Sequence, residues 1–149
     1  MASPAFPIDP TDAPTTATQC LTVYEATATD GRLAPLLIGL RSGYCQAVFE
    51  ELARSSPEEL AEIIRDNRAP DTRLTYAAEI LGRDVDTSAV AAMLREIVQT
   101  HPSPLVREGA VLGLSHHLQR IGVRDTLHRA AANDPSPGVR RAAAEALED

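Results

Sequence analysis

The chain has no tryptophan and no lysine, and its 149 residues include only three Tyr and two Phe. A core so poor in rings must be assembled from Ala, Leu, Val and Ile. That favours small, closely packed helices over a sheet sandwich. With lysine absent, all fourteen cations are arginines, set against twenty-one carboxylates for a net charge of −7. A phosphate backbone demands clustered cations, so nucleic acid and anionic membranes are disfavoured as partners. The two cysteines, Cys20 and Cys45, give neither a disulfide framework nor a metal-ligand spacing. Cys45 falls in a helical pattern and reads as a small buried apolar group. The opening MASPAFPIDPTDAPTT lacks the cationic and apolar regions of a secretory signal. No run approaches the roughly 18 apolar residues of a membrane span. The expected compartment is the cytoplasm.

Catalytic signatures are missing as well. There is no Gly-rich phosphate loop, no G-x-S-x-G, no H-E-x-x-H and no C-x-x-C. Of the four histidines, His101, His116, His117 and His128, the adjacent pair would point about 100° apart on a helix and could not share an ion. Both read as residues near a helix C-terminus, where a partly protonated ring is favourable. The expectation is a protein that is not an enzyme and carries no cofactor and no metal.

What is present is a repeat. Asp134 to Leu147 read DPSPGVRRAAAEAL, and thirty-three positions upstream His101 to Leu114 read HPSPLVREGAVLGL. Stepping back by the same interval, Ala143 falls on Ala110, Ala77 and Tyr44, and Leu147 on Leu114, Leu81 and Val48. Val139 falls on Val106, Arg73 and Leu40, and Arg140 on Arg107, Leu74 and Arg41, so one copy has its Val-Arg order swapped. Positions four apart lie on one face of an α-helix. A second stripe keeps the register: Val123, Leu127 and Ala130 fall on Val90, Leu94 and Ile97, then on Pro57, Ala61 and Ile64.

The punctuation agrees. Pro104 and Pro137 suit first-turn positions, where the missing N–H costs nothing, and Ser103 and Ser136 precede them as caps. Ser56-Pro57-Glu58-Glu59 combines a cap, a first-turn proline and two acids at the positive helix end. Asp86 and Thr87 are candidate caps. Gly122 is expected to break the chain between helices, and Gly82 to do the same one unit earlier. First helices are therefore predicted at about 35–54, 71–82, 104–120 and 137–148, and second helices at about 57–66, 87–100 and 123–133. A capping helix is expected over 15–29 behind a disordered tail of residues 1–14, leaving 15–149 as one domain.

DPSPGVRRAAAEAL resembles the first helix of a HEAT repeat, specifically the short bacterial type related to phycobilin lyase HEAT-like repeats. The resemblance covers residues 35–149 and is strongest from 101 onward. Ankyrin repeats share the 33-residue period, but their T-P-L-H-x-A signature is absent. The resemblance implies an all-α, right-handed α-solenoid of about three and a half helical hairpins, with the second helices lining its concave side. It implies a protein-binding adaptor or assembly scaffold that takes a helix or peptide of another protein in that groove. The alternative is a lyase-like or chaperone-like accessory of a tetrapyrrole-bearing protein, although five rings offer little to clamp a large planar pigment. A repair glycosylase would need a basic, aromatic-lined groove, which this composition argues against.

The helical stripe fixes which residues of the second helices face outward. These are Ser55, Glu58, Glu59, Glu62 and Asp66; then Ser88, Ala91, Ala92, Arg95 and Gln99; then Ile121, Arg124, Asp125, His128 and Ala132. The charge runs from acidic to mixed or basic. The candidate partner-binding residues are Glu58, Glu59, Glu62, Asp66, Arg95, Gln99, Arg124 and His128. Arg41, Arg107 and Arg140 read as a ladder between repeats, bonding carbonyls or an Asp of the adjacent turn. The last half-repeat is either a cap or an interface: Arg141, Glu145 and Glu148 can supply a polar outer side.

Overall fold

A computed structural model describes residues 46–148, and every described element is helical. The tail, the capping helix, both cysteines and Arg41 lie outside the described residues. Residues 46–55 are helical, and a compact unit begins at Ala53. Within it run α1 (Pro57–Arg65), α2 (Asp71–Asp84), α3 (Ser88–Thr100), α4 (Pro104–Leu114), α5 (Val123–Asn133) and α6 (Pro137–Leu147). A single 3-10 turn, Ser115–His117, follows α4.

The two stripes of the sequence become the core. Ala77, Ala110 and Ala143 are all fully buried, as are Leu81 and Leu114. The second-helix set Val90, Leu94 and Ile97, with Val123 and Leu127, is equally closed to solvent. In α2 the swapped pair places Leu74 in the core with Arg73 also buried. First helices stack on first helices (α2 on α4, α4 on α6), and second on second (α1 on α3, α3 on α5). Each second helix also packs broadly on the first helix that follows it, giving the pairs α1–α2, α3–α4 and α5–α6. No such pair could hide its apolar face alone, so the stacking itself is the core.

Local signals set the ends. Pro57, Pro104 and Pro137 each open a helix. Thr87 accepts from the Val90 N–H at 3.2 Å, and Ser103 from the Val106 N–H at 3.4 Å. Ser56 and Ser136 hold cap positions without a side-chain cap bond. Helix α1 ends on Asn67 at φ 56, with the Arg68 N–H bonded to the Ile63 carbonyl and the Asn67 N–H to Ile64. That is a Schellman closure, with Asn in the left-handed seat.

Two expectations need correction. The third first-helix does not run to 120: α4 stops at Leu114, and Gly122 at φ 84 starts α5 after a turn. Gly82 does not break the chain, since α2 continues to Asp84. Instead Gly82 lies against Gly113 of α4, where a Cβ would overlap the Gly113 backbone. At Gly113 an added Cβ would lie 2.7 Å from the Ala78 carbonyl oxygen. These glycines are contact points that let two helices touch, and Gly122 alone of the three takes the left-handed seat.

A candidate docking face on the second helices

The second helices present one polar side to solvent. On α1, Glu58, Glu59 and Glu62 are exposed, as is Asp66 at its C-cap; on α5, Arg124 and His128 are exposed. Glu58 and Glu59 stand in the first turn of α1, where the helix dipole favours carboxylates. Across α1 and α3, Arg65 Nη1 meets Glu96 Oε2 at 3.5 Å, and on α5 Arg129 pairs with Asp125 one turn away. The acidic end of the row is thus α1, with four exposed carboxylates and one arginine. The basic end is α5.

Between these ends the residues are not all free. Arg95 is half-buried, and its Nε donates to Thr126 Oγ1 at 2.9 Å. Gln99 Nε2 donates to the same oxygen at 3.5 Å, and Thr126 Oγ1 donates to the Gly122 carbonyl at 2.9 Å. Thr126, buried to 2 % exposure, therefore gathers both predicted residues of α3 onto α5. The expectation that Ala91 faces outward fails: it is buried, while Ser88 and Ala92 stay exposed. The bridge separates two clefts. One, of about 340 Å³, lies at the Ser88 end of α3, and one of about 230 Å³ lies beside Asn133 and Pro135.

Sequence reasoning missed the residues that rivet the repeats. His101 and His117 are both buried. His101 Nε2 lies 3.0 Å from the Ile64 carbonyl, and its Nδ1 accepts from the Ser103 N–H at 3.0 Å. His117 Nε2 lies 2.8 Å from the Gly82 carbonyl, and Arg120 Nε donates to its Nδ1 at 3.2 Å. A carbonyl only accepts and these N–H groups only donate, so each ring carries its proton on Nε2. His117 thus closes a carbonyl in the last turn of α2, rather than serving as a charge at the end of its own helix. Asp134 takes the place of His101 one repeat later, accepting the Ser136 N–H at 2.9 Å.

Of the expected arginine ladder, the described residues hold one rung between repeats, at Arg107. Arg107 meets Asp134 through Nε at 3.0 Å and Nη2 at 3.1 Å, and its Nη1 donates to the His101 carbonyl at 2.8 Å. Arg140 repeats the last bond, donating to the Asp134 carbonyl at 2.7 Å. In the swapped unit Asp71 stands where the others have proline, and its carboxylate accepts from Ser103 Oγ at 2.7 Å. At the opposite edge Arg120 Nη2 donates to Asp86 at 2.6 Å, which holds that carboxyl below its usual range. Arg83 does the same for Asp84.

Among the described residues no three His, Cys, Asp or Glu side chains gather as for a metal ion, and no helix is long and apolar enough to cross a membrane. Residues 57–148 match the family model described as HEAT repeats. No curated protein and no solved structure matches the chain.

Proposed function

This chain belongs to the HEAT-repeat family, and from that premise we propose that it is a protein-binding adaptor or assembly scaffold without chemistry of its own. The family match is to HEAT repeats at large and does not extend to the phycobilin lyase subtype. The observation that carries the reading is the polarised row of second helices. Four exposed carboxylates stand on α1, exposed Arg124 and His128 stand on α5, and a bridged cleft lies between α3 and α5. A bipolar helix or peptide of a cytoplasmic partner would be oriented by that field, which screening over about 8–10 Å leaves resolved at physiological salt.

Charge reversal tests it. Glu58→Arg with Glu62→Arg replaces only exposed side chains. Affinity capture with the wild type and the double variant, read by mass spectrometry, should show partners that the wild type holds and the variant loses. Identical captured sets would reject the second-helix face.

A further inference from the structure

The cleft at the Ser88 end of α3 is lined by cations without carboxylates, in a chain whose net charge is −7. Its volume is about 340 Å³, and Arg95 and Arg120 stand on its lining while no Asp or Glu does. Arg95 is fixed there. Its guanidinium rests on Gly122, where an added Cβ would lie 2.5 Å from Cζ, and its Nε is taken by Thr126. Among the described residues no ion pair engages Arg95, and its Nη1 and Nη2, which lie beside Gly122 on the cleft lining, have no carboxylate partner. Arg120 has Nε on His117 and Nη2 on Asp86, which leaves Nη1. The remaining wall is short and apolar: Ala91, Ala92 and the side chain of Ile121, which is 97 % exposed.

An immobilised guanidinium with two open donors suits a carboxylate, and the low wall beside it suits a small aliphatic side chain. Phosphate polymers would also meet the four carboxylates of α1, whereas a short acidic segment need not. We propose that this cleft binds a partner peptide that presents Glu or Asp next to an aliphatic residue. The proposal rests on the docking-face reading and supplies the chemistry of one contact within it.

The probe is a labelled pentapeptide, acetylated and amidated, of sequence Leu-Glu-Val-Glu-Leu, added to the full chain. Amide signals of Ser88, Gln119 and Ile121 should shift on titration, and the Gln-for-Glu peptide should bind about tenfold more weakly. Ile121→Asp removes no packing in the core and places a carboxylate on the rim, so it should also weaken binding about tenfold, while Ile121→Asn, which takes away the apolar wall without adding charge, should weaken it less. Arg95→Gln should weaken it as well. Equal binding of the two peptides, equal binding by Ile121→Asp, or displacement by inorganic phosphate at equal concentration would overturn the proposal. Such a failure, with captured partners still lost on α1 charge reversal, would remove this cleft and leave the docking face standing.

Discussion

Arg107 and Arg95 are both helix-borne arginines that reach toward a neighbouring repeat, yet they do different work. The Arg107 guanidinium and the Asp134 carboxylate are 11 % and 7 % exposed, and they meet through two parallel bonds. Removing one partner of so enclosed a pair strands the other charge, at a cost of about 3 kcal/mol. Arg95 gives one bond to a hydroxyl, worth about 1 kcal/mol. Arg107→Ala should therefore lower the melting temperature clearly more than Arg95→Ala, at roughly 4–8 °C for each kcal/mol in a unit this small. Equal shifts in a calorimetric comparison would count against the ladder. Arg95 is free of structural duty to the extent that its outer nitrogens are open, and those nitrogens are what the acidic-peptide cleft uses.

Between elements, the decisive contact is that of α2 with α4. Gly82 and Gly113 bring two backbones together, and the neighbouring Gly109 sits against Thr75 in the same seam. Gly82→Ala would gain a little helix propensity but must push α4 away from α2. Overpacking against backbone rather than a flexible side chain should cost about 3 kcal/mol. Gly138, in the first turn of α6, makes the control: a Cβ there meets side-chain atoms and no backbone, the end of Glu108 at 3.1 Å and Ser136 Oγ at 3.7 Å. Gly138→Ala should be neutral or should stabilise by up to about 1 kcal/mol. Denaturant midpoints of the two variants separate the cases, and a harmless Gly82→Ala would refute the close seam.

Along the described stack each helix pair packs chiefly on its neighbours, so stability there is a sum from pair to pair. Helix α6 buries Val139, Ala142, Ala143 and Ala146 against α4 and α5, and its turn supplies Asp134 to Arg107. A chain ended after Asn133 should lose amide protection first in α5, with α2 and α3 retaining most of theirs. Hydrogen exchange followed peptide by peptide reads this directly. A uniform loss from 57 to 133 would mean that the repeats fold as one cooperative block.

The 33-residue register, the two helical stripes and the burial of Ala77, Ala110 and Ala143 were legible in the residues alone, because one-sided burial writes its own period into a helix. So were the exposed carboxylates of α1, which depend only on that phase. The break at Gly122 was legible as well, whereas folding alone decided that Gly82 is a contact between helices. It likewise decided that His101 and His117 are buried rivets while His116 faces water, and that Thr126 ties Arg95 to α5. Those outcomes hang on partners 27 to 37 positions away across the stack, a separation at which helical periodicity carries no information about which side chain meets which.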